Sequence, residues 1–106
     1  MTLLSTPSPI PKTTLQALTE LTGEPRLNVA LLLTLQDAIA HRLAKINADI
    51  RRLEEKYGMS FEQFQSLGEQ GKLADQFSFA VESDYLEWDG LVSRKKKLEN
   101  MAQWLD

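Results

Sequence analysis

The stretch Lys56-Tyr57-Gly58-Met59-Ser60-Phe61-Glu62-Gln63-Phe64 ends one long amphipathic helix and starts another within three residues. Gly58 can adopt the left-handed backbone conformation that closes a helix C-terminus without a Cβ penalty. Ser60 is placed to cap the next helix, and Gln63, three residues on, completes the pattern of a capping box. Met59 and Phe64 flank that box at the spacing of a hydrophobic staple. The turn is therefore written in local chemistry, and the chain can be read outward from it in both directions.

Upstream, Leu32, Leu35, Ile39, Leu43, Ile46, Ile50, Leu53 and Tyr57 follow steps of three and four. At about 100° per residue they fall within an arc of roughly 80°, a narrow seam of the coiled-coil kind. The spacing predicts a helix from about Arg26 to Tyr57, with Asp37, His41, Lys45, Asp49, Arg52, Glu55 and Lys56 on its polar side. Lys45 with Asp49 and Arg51 with Glu55 are spaced for surface pairs. Leu27, Val29, Leu31 and Leu33 point away from the seam, so the start of this helix is apolar nearly all round and calls for cover on more than one side. Before it, Leu15, Leu18 and Leu21 predict a short helix over 12–22, broken by Gly23-Glu24-Pro25, with Pro25 suited to the start of the next helix. Residues 1–11 hold Pro7, Pro9 and Pro11 among Ser and Thr and read as an extended or disordered arm.

Downstream, Phe61, Phe64 and Leu67 share one side of a short helix that Gly71 stops. A last helix is predicted from about Phe79 to Trp104. Its stripe Val81, Tyr85, Trp88 and Val92 hands over to Leu91, Leu98, Ala102 and Leu105, with Lys95 snorkelling from a seam position. No segment alternates with period two. The expected fold is all-α: an antiparallel hairpin of two long helices joined by a short helical elbow, plus a short N-terminal helix, as a single helical domain over 12–106. In that arrangement Met101, Trp104 and Leu105 are expected near the apolar start of the long helix, which the N-terminal helix helps to cover.

Composition narrows function by exclusion. A chain of 106 residues without cysteine forms no disulfide or thiolate metal site. Its net charge of -3 argues against direct nucleic-acid binding. The run Leu27 to Leu35 is too short to span a bilayer, and the N-terminus lacks the charged-then-apolar pattern of a secretory signal, so the cytoplasm is the expected compartment. Charge is unevenly placed, however. From Phe61 to Gly90, Glu62, Glu69, Asp75, Glu82, Asp84, Glu87 and Asp89 face Lys72 alone, a local charge of -6 that leaves +3 on the rest.

Reactive constellations are thin. His41 and Asp37 share a helix face, but two ligands are too few for a zinc site. Asp84 and Glu87 lie one turn apart and could pair for acid/base work or magnesium binding. Yet acids near a helix N-terminus and bases near its C-terminus, Arg94 to Lys97, are what the helix dipole favours. The basic run is short and reads as a solvated face rather than a phosphate site. No Gly-x-Ser-x-Gly elbow or glycine-rich phosphate loop is present. No enzyme, cofactor or metal is expected. Tyr85 and Trp88 share the seam with Val81, so core packing is the favoured reading for them. Phe77 and Phe79 fit core and partner surface equally well. Aromatic anchors among charges are typical of protein interfaces, so the expected partner-binding set is Asp75, Phe77, Phe79, Glu82, Asp84, Glu87 and Asp89.

Glu54-Glu55-Lys56-Tyr57-Gly58-Met59-Ser60-Phe61-Glu62-Gln63-Phe64 resembles the Tyr-Gly-Met-Ser-x-Glu-Glu-Phe signature of small prokaryotic antitoxin-like helical proteins. Gly71-Lys72-Leu73-Ala74-Asp75-Gln76-Phe77 is similar to that family's Gly-x-Leu-x-Asp-Asp segment, and Ser83-Asp84-Tyr85-Leu86-Glu87-Trp88 to its aromatic-acidic Glu-Trp element. The likeness covers about Leu35 to Leu98. It departs at Gln63 and Gln76, where the pattern has acids, and the first 25 residues lie outside it. The resemblance implies a module that neutralises a small toxin encoded nearby by direct binding; the acidic-aromatic segment points to a basic toxin and to that surface as the place of binding. The alternative is a self-associating structural hairpin, a homodimer without a toxin partner, motivated by the narrow seam and the apolar start of the long helix. A metal-dependent enzyme using Asp84 and Glu87 is the third reading.

Overall fold

The structure is a computed structural model and describes residues 10–105. The proline-rich arm placed over 1–11 lies outside them, apart from Ile10 and Pro11. The described residues form four α-helices, α1 Lys12–Thr22, α2 Leu27–Tyr57, α3 Phe61–Glu69 and α4 Phe79–Trp104, with no strand among them. The fold is all-α, as the periodicity predicts. It divides within α2 into two compact units, Met1–Ala38 and Ile39–Asp106.

In the first unit, α1 closes at Gly23, whose φ of 70° lets its N–H reach the Thr19 carbonyl at 2.9 Å. Pro25 does not open α2. Glu24 grips Arg26 instead, accepting from its backbone N–H at 3.1 Å and from its guanidinium at 2.7 and 3.1 Å, and Arg26 precedes the first helical residue, Leu27. Those charge-assisted contacts hold the Glu24 carboxyl down at about pKa 2. The apolar start of α2 is unevenly buried. Ala30 is buried, but Leu27, Leu31 and Leu35 remain exposed, as does Leu21 of α1. Trp104, at the end of α4, is 77% exposed.

The second unit contains the elbow as the sequence predicts it. Gly58 sits at φ 67°, and its N–H bonds the Glu54 carbonyl at 2.7 Å. Ser60 Oγ accepts from the Gln63 N–H at 3.2 Å while Gln63 Oε1 accepts from the Ser60 N–H at 3.0 Å, a complete capping box. Gly71, at φ 69°, follows the end of α3. Beyond the elbow α4 returns antiparallel to the C-terminal part of α2: Arg52 pairs with Glu87, and Lys56, one turn further on, with Asp84, one turn back.

Four buried side chains, Leu53, Phe61, Phe64 and Trp88, form the core, and Tyr57, Met59, Leu73, Val81, Tyr85, Leu91 and Val92 pack against it. The rings meet closely: Tyr57 and Phe64 edge-on at 4.6 Å, Phe64 and Trp88 at 5.1 Å, Phe61 and Trp88 at 5.5 Å. Such pairs add about 0.5–1.5 kcal/mol each beyond the area they bury. Trp88, with no exposed surface, is the keystone. Further along, Ile39 and Leu98 are also buried. No helix among the described residues is long and apolar enough to cross a membrane.

Candidate functional site

Helix α4 sorts its acidic residues onto different faces. At about 100° per residue, Val81, Tyr85, Trp88 and Val92 define the core stripe, and Asp84 and Glu87 flank it on the side toward α2. Phe79, Glu82, Leu86 and Asp89 fall together on another face, within an arc of roughly 80°. All four of these are exposed.

The first pair of acids is committed within the chain. Asp84 Oδ2 accepts from Lys56 Nζ at 2.6 Å and from the Tyr57 hydroxyl, and it is mostly withdrawn from solvent. These bonds, Lys56 first and then Tyr57, hold the Asp84 carboxyl below its ordinary range. Burial, with the bond to Asp84 second, pushes the Tyr57 hydroxyl up to about 12. Glu87 is paired with Arg52. Asp84 and Glu87, expected to be part of a partner surface, therefore stand in contacts that hold α4 to α2. One oxygen of each carboxylate is engaged by a cation, Asp84 Oδ2 by Lys56 and Glu87 Oε2 by Arg52. Among the described residues no three His, Cys, Asp or Glu come together to hold a metal ion.

The remaining expected residues stand in solvent. Phe77 is 83% exposed and Phe79 87%, so neither is core. Tyr85 and Trp88 resolve the other way: Trp88 is fully buried and Tyr85 stacks on Phe61 at 5.8 Å. Asp75 is exposed and adopts φ 53°, with its carbonyl accepting from the Ser78 N–H at 2.9 Å. It is a turn residue as well as an acidic one. Glu82 and Asp89 carry their charge outward.

Between α3, the 70–78 connection and α4 lies a groove of about 420 Å³. Its floor is Phe64, Gly68, Leu73, Val81 and Tyr85; Phe77 and Leu86 form its lips, and Glu69 and Glu82 are the charged groups in its wall. Two glutamines fix its shape. Gln76 Nε2 donates to the Gly68 carbonyl at 2.7 Å and Gln76 Oε1 accepts from the Leu73 N–H at 3.4 Å, tying the connection to α3. Gln65 Nε2 donates to the Tyr85 hydroxyl at 3.2 Å, tying α3 to α4. Leu86, which is 69% exposed, and the groove itself fall outside the set of residues expected from sequence. The available signal was a leucine off the core stripe of an acidic helix, one turn from Glu82.

Exposed Phe77, Phe79 and Leu86 beside a concave apolar floor, with carboxylates at the rim, make a surface suited to a protein partner. Compared with protein-family models, with curated proteins and with solved structures, the chain matches none.

Proposed function

We propose that the chain is an antitoxin-like binding module that sequesters a small basic protein through the surface formed by Asp75, Phe77, Phe79, Glu82, Leu86 and Asp89. The exposure of Phe77 and Phe79 carries this reading. Phenylalanines that the fold leaves almost wholly in water, in a segment of charge -6, contribute nothing to the core and are available as anchors. The sequence resemblance supplies the class of partner, a small toxin encoded nearby. The reading assigns the chain no reaction of its own. Co-expression with the adjacent gene product tests it: growth arrest by that neighbour should be relieved, and the two proteins should co-purify. A neighbour whose growth arrest this chain does not relieve overturns it.

Self-association is the second reading, and the exposed Leu21, Leu27, Leu31 and Leu35 favour it. Sedimentation across a dilution series tests it, and a folded monomer at high concentration removes it.

A further inference from the structure

We propose that the groove between α3, the 70–78 connection and α4 receives a basic amphipathic helix of a partner protein, with an apolar side chain on the floor and Lys or Arg against Glu69 and Glu82. The inference rests on the binding reading above and names the form of the partner element.

The sign of the partner's charge follows from the wall. Glu69 and Glu82 are both carboxylates, and among the described residues neither is engaged by a cation. The apolar floor, with Phe77 and Leu86 standing in solvent at the lips, calls for a side chain of the Leu, Ile or Phe kind. The partner's backbone is constrained as well. The amides of Gln65 and Gln76 are spent on Tyr85, Gly68 and Leu73. The main chain of α3 and α4 is engaged within the helices themselves, and no sheet edge is present among the described residues. An extended peptide that adds to a receptor as a strand needs a sheet edge, and none is present here among the described residues. A helix arrives with its own backbone satisfied and needs only apolar contact and charge complementarity.

The test uses the full chain, isotope-labelled, and a fluorescent synthetic helix of about 15 residues. The helix carries leucines on one face and lysines elsewhere. Two comparison peptides keep the composition but scatter the leucines around the helix, or replace every lysine by glutamate. Saturable binding of the patterned basic helix is expected, with amide shifts centred on Gly68, Leu73, Val81 and Leu86. Leu86→Lys and Glu82→Lys, both at exposed positions that leave the core untouched, should each weaken it by roughly tenfold. Trp104→Ser, which removes an exposed ring far along α4, should leave it unchanged. Absence of binding, equal binding of the scattered or acidic peptide, full binding by Leu86→Lys, or shifts outside the groove would each overturn the proposal. So would the same amides shifting on dilution without peptide, since the occupant would then be a second copy of the chain. Failure here separates from failure of the binding reading. A neighbour protein neutralised equally well by the Leu86→Lys chain overturns the groove alone. Peptide binding without any neutralisation overturns the toxin reading alone.

Discussion

Gly58 and Ser60 show how little chemistry is needed to turn this chain. No atom lies within 4 Å of the point where a Cβ on Gly58 would stand, so the cost of a side chain there comes from the backbone conformation alone. Gly58→Ala is expected to destabilise by about 1 kcal/mol, and Gly58→Val by more. Ser60→Ala, which strips the cap from α3, should also cost about 1 kcal/mol. Urea unfolding of the variants measures both, and unchanged midpoints would contradict the elbow's role. Gln76 makes a sharper case. Its amide N–H donates to the Gly68 carbonyl, which a carboxylate cannot do. Gln76→Glu should therefore cost about 1–3 kcal/mol at neutral pH and recover partly in acid. Gln63 and Gln76 are the positions where the chain departs from the resembling pattern, and both have structural work here. The Gln63 role was legible because a capping box closes within four residues. The Gln76 latch reaches back eight residues to a carbonyl, and no spacing rule announces it. Asp75 is expected at a partner surface for its charge; its positive φ, imposed by the turn it makes, leaves no mark in the sequence pattern.

At the scale of elements, the two faces of α4 divide stability from surface. Trp88→Ala opens the centre of the aromatic cluster and should cost about 3–5 kcal/mol. Gly90 lies in the exposed interior of the same helix with nothing within 4 Å of its missing Cβ. Gly90→Ala should accordingly stabilise by about 0.5–1 kcal/mol. Thermal melts of the two variants shift in opposite directions on this account. The Lys56–Tyr57–Asp84 contact contributes to the response to pH at both ends. Asp84 titrates lower in the folded chain than unfolded, so its contribution is present above about pH 4 and fades as pH falls through the folded value. Tyr57 titrates higher when folded, at about 12, so its contribution holds below about pH 10 and fades as pH rises toward 12. Urea midpoints across that range should form a plateau with both edges eroded; Tyr57→Phe should flatten the alkaline edge and Asp84→Asn the acid one. Helix bounds and the core stripe were readable because periodicity is a local signal. The partners of Asp84 and Glu87 were not, since Lys56 and Arg52 lie 28 and 35 residues away and only the packed register of α2 against α4 brings them together.

At the scale of the whole molecule, residues that hold the second unit together and residues available to a partner are largely separate sets. Leu53, Phe61, Phe64 and Trp88 are closed to solvent, whereas Phe77, Phe79 and Leu86 are open to it, although Phe64 also contributes to the groove floor. That separation could not be read from composition, because aromatic residues among acids look alike whether they end inside or outside. Only the stripe spacing marked Tyr85 and Trp88 as core, and the connection holding Phe77 has no periodicity to read. The most direct measurement takes the Phe77→Ser, Phe79→Ser chain and determines, on one preparation, its thermal midpoint and its affinity for the neighbouring basic protein. An unchanged midpoint and an affinity lowered by roughly tenfold or more are expected. Unchanged affinity, or a midpoint that falls with it, would contradict the claim that these rings serve a partner rather than the fold.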